Sequence, residues 1–230
     1  MTHLEKIQSD STSEHRPLAL PANVTFYPLN SFGRDKIENF LREGFKKSFT
    51  AKTRSFMPLI METSDNKNIT TACFGIRRLE EENAFLECYL DRPVEQCIND
   101  KLCLNVDRKK IIELGSIVSS EPGAGGWLII AATAWLKGAG YEWGVLTATN
   151  DLKKSVRKLG IELIDLAQAR PDALTPEELK DWGTYYDFEP VVYATDINAA
   201  YAKVTDSPLI MKLMGGIVAY CYSLGQQRFF

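Results

Sequence analysis

The sequence predicts a mixed α/β domain, and three observations carry that reading. Short β-rich runs recur along the 230 residues, separated by turn residues and by segments with apolar side chains at helical spacing. Between residues 111 and 166 the order is strand, glycine-rich turn, apolar helix, strand, Asn-led helix, strand. No internal repeat or low-complexity linker interrupts the pattern. The composition, 45% hydrophobic and 25% charged, is that of a globular chain able to bury a core. It excludes collagen-like, disordered and coiled-coil classes.

The elements follow in order. Residues 1–20 are polar and read as a disordered leader, 21–205 as the domain, and 206–230 as a C-terminal helical extension. The run 24–27 is a first strand. Asp35 opens a helix, because Ile37, Phe40, Leu41 and Phe45 share one face. Runs 57–61 and 69–76 read as strands joined by turn residues 65–68. Run 85–90 reads as a further β-like or mixed segment. Pro93 suits the first turn of a helix. Run 111–118 is a buried strand that carries one carboxylate, Glu113. Residues 127–137 form an apolar helix stopped at Gly138 and Gly140. Strand 143–148 precedes a helix over 151–159, capped by Thr149 or Asn150 and ended by Gly160. Run 161–166 is a strand. Residues 171–182 are a polar loop and helix, opened by Thr175, Pro176, Glu177 and Glu178. Run 191–194 is a last strand, and 208–225 a last helix.

Charge and residue counts narrow the chemistry. A net charge of −3 offers no basic surplus for nucleic acid. The two histidines, His3 and His15, sit in the polar leader, so neither a histidine-centred site nor a metal site is expected. Cys73, Cys88, Cys97, Cys103 and Cys221 include no C-x-x-C pair, which indicates free thiols in a reducing cytoplasm. The N-terminus lacks a basic head followed by an apolar run. The apolar stretch 127–136 is too short to span a bilayer, and 209–224 is interrupted by Lys212. The expectation is a cytoplasmic protein with no transmembrane segment and no nucleic-acid partner.

The central signal is the strand, then Ser119-Ser120-Glu121-Pro122-Gly123-Ala124-Gly125-Gly126, then a helix. Glycines let backbone amides approach a ligand, and a helix N-terminus adds free N–H groups and a positive dipole end. Such a turn is either a plain tight turn or an anion cradle. It is not a dinucleotide fingerprint, because Leu128 stands where a third glycine is required. It is not a P-loop, because no Gly-Lys-Ser/Thr closes it.

The order of elements around this turn resembles the cofactor half of the GNAT acyltransferase fold. The resemblance implies a mixed, mostly antiparallel central sheet with splayed central strands, flanked by helices. It implies that Ile117, Val118 and Ser119 line a pantetheine arm. Glu121, Gly123, Ala124, Gly125 and Gly126 would cradle the pyrophosphate of an acyl-CoA. Two positions depart from the family pattern. The loop has Glu121 and Pro122 and no basic residue, which leaves room for an acyl-carrier-protein donor, and Val156 stands where a proton-donating tyrosine is common. The segments 51–61 (AKTRSFMPLIM), 85–91 (FLECYLD), Glu113-Leu114-Gly115 and 182–187 (WGTYYD) stand in order and resemble the bacterial thermostable hemolysin family over about residues 24–198. That family is itself similar to the GNAT and acyl-homoserine-lactone synthase fold. Its Asn-Leu-Ala-like run is replaced here by Ser116, Ile117 and Val118.

Candidate residues follow. Glu113 lies among Ile111, Ile112, Leu114 and Ile117. Facing the core, its pKa would rise toward that of a base able to deprotonate an amine; its alternatives are a solvent-facing position or an arginine salt bridge. Glu87 is a similar case in an apolar-aromatic run. Arg54, Arg77 and Arg78 can pair with these carboxylates or with an anionic acceptor. Trp182, Tyr185 and Tyr186 read as core packing or as a lid over an acyl chain. No G-x-S-x-G elbow marks a serine nucleophile. The expected reaction moves an acyl group from acyl-CoA or an acyl-carrier-protein thioester to a small amine, without metal. Two alternatives stand beside it: an S-adenosylmethionine-using homoserine-lactone-like synthase, and a membrane-active protein without catalysis. The last helix would then touch lipid, or instead pack on the domain or on a second copy in a homodimer.

Overall fold

The computed structural model describes residues 20–80 and 82–227. The expected leader, apart from Leu20, lies outside the described residues. The sheet has seven strands: β1 (Asn23–Pro28), β2 (Leu59–Ser64), β3 (Thr70–Arg78), β4 (Ile111–Ser119), β5 (Trp143–Ala148), β6 (Ile164–Gln168) and β7 (Val191–Asp196). Their order is β1-β2-β3-β4-β5-β7-β6. Every neighbouring pair is antiparallel except β4 with β5. The mixed, mostly antiparallel sheet is the one expected.

The helices are α1 (Arg34–Phe49), α2 (Val94–Leu102), α3 (Ala124–Gly138), α4 (Asn150–Lys158), α5 (Pro176–Asp181), α6 (Ile197–Thr205) and α7 (Pro208–Gln226). Helix α1 buries Ile37, Leu41 and Phe45, one per turn, with Ile37 and Leu41 packing against Ile60 and Cys73 of the sheet. Helix α3 is apolar nearly all round because it lies between the sheet and α7. The α3–α7 contact is backbone-close. A Cβ at Gly138 would lie 2.1 Å from the Tyr222 carbonyl oxygen, and one at Gly225 would lie 2.2 Å from that of Trp135. Despite Lys212, α7 is long and apolar enough to cross a membrane by length and composition. In this fold it buries Met214, Val218 and Cys221 in the core shared with α3.

Several expectations shift. Run 85–90 is not β-like but a 3-10 turn, Phe85–Tyr89. Its amides are occupied: Phe85 and Leu86 donate to the Glu113 carboxylate, and Glu87 donates to the Ala84 carbonyl. A segment bonded in this way has no donors left for a sheet ladder. Strand β2 starts at Leu59 rather than 57, because the Met57 and Pro58 carbonyls accept from the buried Arg34 guanidinium. Strand β6 starts at Ile164, since Ile161 and Leu163 turn inward against α4. The expected helix 127–137 begins three residues earlier, at Ala124. Helix α6 was not expected at all. Its signal was present in Asp196, whose carboxylate caps the Asn198 and Ala199 amides.

The feature that positions the site is where β4 and β5 part. They pair only over Ile111–Leu114 and Trp143–Leu146. Beyond that, β4 stays with β3 through Ser119, while Thr147 and Ala148 stay with β7. The outer ladders hold and the central one opens, as the resemblance implied. A bulge sits at the opening. Gly75 faces Gly115 and Cys73 faces Val118, so β4 spends one residue more than β3, and Ser116 adopts a φ of 55°.

Candidate active site

A cleft of about 700 Å³ occupies this opening and runs to both sides of the sheet. That volume is typical of a small-molecule site. On the α3 side its walls are apolar: Ile129, Leu136, Leu152, Val156, Ile161 and Ala200. In the gap it is bordered by Leu114, Ile117, Val118 and Ser119 from β4 and by Thr147 and Ala148 from β5. On the α1 side the mouth is aromatic and charged, with Phe49, Arg54, Phe85, Asp181, Trp182 and Tyr185.

The floor depends on two glycines. Gly75 and Gly115 are register partners, and the Met57 side chain lies across both. A Cβ at Gly75 would stand 2.8 Å from Met57 Cβ, and one at Gly115 would stand 2.6 Å from Met57 Cε. Gly115 belongs to the Glu113-Leu114-Gly115 motif and Gly75 to none, and the two meet only through register.

Glu113 is 2% exposed and lines the cleft. It accepts hydrogen bonds from the Phe85 amide (3.0 Å), the Leu86 amide (2.9 Å) and Arg77 Nη1 (2.9 Å). Burial pushes its pKa up, against the pull of these three donors. Both sequence readings therefore meet in one residue, since it is core-facing and salt-bridged together. Glu87 sits elsewhere, outside the cleft walls. It accepts from Arg108 and from the Ala84 and Val94 amides. Burial works to raise its pKa, but these donors outweigh it and hold the carboxyl below its ordinary value.

Arg54 is exposed and pairs with Asp181 through two contacts, Nε to Oδ2 at 2.6 Å and Nη2 to Oδ1 at 3.0 Å. This ion pair bridges the two banks of the mouth. Trp182 and Tyr185 stand beside it, their ring centroids 5.0 Å apart. They are joined to α1 by backbone: Thr184 N–H donates to the Phe49 carbonyl, and Lys52 N–H to that of Asp181. A Cβ at Gly183 would collide with Phe49 O at 2.2 Å, and its φ is 57°. Only glycine fits there without strain.

Of the expected cofactor residues, Ile117, Val118 and Ser119 line the cleft. The loop of Glu121, Gly123, Ala124, Gly125 and Gly126 lies just past its Ser119 end, with the Gly125 Cβ position 3.8 Å from Ser119 Cβ. Gly123, at φ 93°, is the N-cap of α3, and the amides of Gly126 and Trp127 turn back to its carbonyl. Val156 lines the apolar wall. Sequence reasoning missed Met57, Phe49, Tyr89 and Thr147, all of which line the cleft; only the open sheet gives Thr147 a role. Among the described residues no cluster of three or more His, Cys, Asp or Glu side chains could hold a metal.

A family model described as thermostable hemolysin matches residues 29–201. The chain belongs to this family. No curated protein matches the sequence closely enough to count as a relative. Solved structures match over most of this chain. The acyl-homoserine-lactone synthase LasI aligns with TM-score 0.53 at 12% identity, covering 84% of this chain and 94% of its own. FeeM, an N-acyl amino acid synthase from uncultured soil microbes, aligns with TM-score 0.52 at 9% identity, covering 83% and 98%. BjaI, a CoA-dependent acyl-homoserine-lactone synthase solved with SAM and isopentyl-CoA, aligns with TM-score 0.52 at 9% identity, covering 86% and 97%. At such identities the likeness establishes a shared fold, that of these acyl-homoserine-lactone and N-acyl amino acid synthases.

Proposed function

We propose that the protein transfers an acyl group from a thioester donor to an amine. The observation that carries this reading is the cleft itself: an apolar cavity that passes through the gap between β4 and β5. Strand backbone without a ladder partner is a ready hydrogen-bonding edge for an amide-bearing arm such as pantetheine. Ile117, Val118 and Ser119 supply that edge. The turn at Glu121–Gly126, just past the Ser119 end of the cleft, holds the arm's phosphate through amides other than those of Ala124, Gly126 and Trp127, which donate within the turn.

The acyl chain lies toward Ile129, Leu136, Val156 and Ala200, where apolar surface leaves water. This depth suits chains longer than acetyl. Backbone amides near the Ser116 bulge steady the carbonyl oxygen as it takes on charge. The acceptor amine enters from the Arg54–Trp182 side. Glu113, whose proton affinity is raised by burial, takes the ammonium proton directly or through a water.

Thermal-shift measurements test the reading with acetyl-CoA, long-chain acyl-CoA, the matching acyl-carrier protein and S-adenosylmethionine as probes. A ligand that binds only the folded state raises the melting temperature. Long-chain acyl donors are expected to stabilise the protein more than acetyl-CoA. Mass spectrometry of reactions with a panel of amino acids and polyamines then identifies the acylated product. If no acyl thioester shifts the melting temperature and no acylated amine forms, the reading is wrong. A shift with S-adenosylmethionine would direct it to a synthase that takes that molecule as acceptor.

A further inference from the structure

Arg108 lies outside the cleft walls, yet its guanidinium is fully used. It sits on the short 3-10 turn Arg108–Lys110 that leads into β4, a few residues before Glu113. Its Nε donates to the Leu79 carbonyl at 3.0 Å. Nη1 donates to Glu87 Oε1 and to Glu95 Oε2, both at 2.7 Å. Nη2 donates to Glu87 Oε2 at 2.9 Å and to Asn83 Oδ1 at 3.3 Å. A guanidinium has five N–H groups, and these five bonds occupy them all. Such an arginine has no donor left for a substrate; what it fixes is the path of the chain.

Its four partners belong to one stretch. Leu79, Asn83, Glu87 and Glu95 run from just past β3 to the first turn of α2, with the Phe85–Tyr89 turn among them. That turn is also what covers Glu113, giving it the Phe85 and Leu86 amides. A single 3-10 turn is too short to hold its own shape in water. It is gripped twice by one short segment of chain, by Arg108 through Glu87 and by Glu113 through its amides. The charged and titratable groups around Glu113 are Arg77 of β3, with Glu82 behind it, and Cys88 on the turn. Tyr89, Glu178 and the Arg54–Asp181 pair line the same cleft. Among the described residues none of these is a hydrogen-bond partner of Arg108, so Arg108 reaches Glu113 through the turn.

We propose that Arg108 is a positioning residue for Glu113: it locks the Phe85–Tyr89 turn in the place from which the turn covers the carboxylate and bonds it. The effect on rate rests on the acyl-transfer reading; the effect on Glu113 itself does not. With the lock released, the turn loosens and water reaches Glu113. Burial is the largest cause of its raised pKa, so the value falls back toward that of an ordinary carboxylate, although the loss of two amide bonds acts the other way. A carboxylate returned to water is a weaker base and a less well aimed one.

Arg108→Lys tests the assignment. Lysine keeps the charge but carries its donors on one nitrogen, which does not span Glu87, Glu95, Asn83 and Leu79 together. The readout is the pH titration of the Glu113 carboxyl carbon by NMR, assigned with Glu113→Gln. Arg108→Lys is expected to lower the Glu113 midpoint. With the best donor and amine it should cut kcat about 10- to 100-fold, with KM little changed. The acid limb of the rate profile should move down with the midpoint. Arg108→Met removes all five bonds and should go further the same way; where it does not fold, Arg108→Lys decides. Ile98→Val is the control for stability alone. It thins the buried cluster that Leu86 and Val94 share, and should lower the melting temperature while leaving the Glu113 midpoint in place. An unmoved or raised midpoint in folded Arg108→Lys, or an equal shift in Ile98→Val, would overturn the assignment. If the midpoint falls but the unaltered protein acylates no amine, the acyl-transfer reading fails and the positioning of Glu113 stands.

Discussion

Glu113 and Glu87 look alike in sequence, each a lone carboxylate among apolar and aromatic residues, and the fold treats them in opposite ways. Glu113 lies on β4, a central strand, and is sealed beneath the Phe85–Tyr89 turn. It has one cationic partner, Arg77, which also contacts Glu82 at 3.2 Å. Glu87 lies on the turn itself, where Arg108 grips it through two nitrogens. Burial wins at Glu113 and partners win at Glu87, so one carboxyl is pushed up and the other held down. The turn joins them: Glu87 shapes it, and its amides hold Glu113. A carboxylate becomes a candidate base when its element buries it faster than its neighbours can pair it.

Four experiments would break or sharpen this contrast. The largest effect is expected on activity. Glu113→Gln should cut acyl transfer by about 10²-fold or more with the fold intact, while Glu87→Gln should leave most activity. Steady-state rates on the stabilising donor decide it, and equal losses would erase the distinction. Stability comes next. Glu113→Ala leaves Arg77 and two amides facing an empty site and should cost about 3–5 kcal/mol in urea unfolding. Glu87→Ala should cost about 1–2 kcal/mol, because Arg108 keeps Glu95 and water reaches the freed amides.

The third effect is a change of sign with pH. A carboxyl raised in the folded state binds more protons there than in the unfolded chain. Its contribution is therefore full below the ordinary carboxylate value near 4.5 and fades as pH rises through the folded pKa. A carboxyl held down contributes above that value and loses its contribution as pH falls through the folded pKa. Melting curves should show wild type gaining on Glu113→Gln as pH drops from 7 to 4.5, and losing ground to Glu87→Gln below 4.5. Parallel curves would contradict the opposed environments. The smallest effect belongs to the exposed limit of the series. Arg54→Ala should change stability by no more than about 1 kcal/mol, since its pair with Asp181 is screened by solvent. A larger loss in urea unfolding would mean that this bridge holds the mouth together.

Much of the fold was legible. Among the described residues, the period-two and period-3.6 patterns located the seven strands and six of the seven helices, with boundaries off by a few residues. Capping chemistry held in one place and not in another: Thr175 and Glu178 form the reciprocal box their spacing suggests, whereas Thr149 stands at the N-cap of α4 without a side-chain cap bond. The 85–90 segment misled because its amides bond to Glu113, 27 and 28 residues away, which no local pattern records. Candidate residues were partly legible. Glu113, Arg54, Trp182, Tyr185 and the 117–119 edge come together around one cleft. Glu87 could not be separated from Glu113, because the deciding partner, Arg108, is distant in sequence.

The sequence by itself determined most of the order of elements, with α6 and the Phe85–Tyr89 turn the exceptions, together with the glycine-rich entry into α3, the family, and the scarcity of histidine. Those depend on periodicity, on residue types and on turn chemistry, which act over a few residues. Only the tertiary structure decided that β4 and β5 part after Leu114 and Leu146, that Gly75 meets Gly115 beneath Met57, and that the Tyr185 hydroxyl reaches Thr147. Each of these is a meeting of strands or turns far apart in the chain, set by register and by the direction in which side chains leave a pleated sheet.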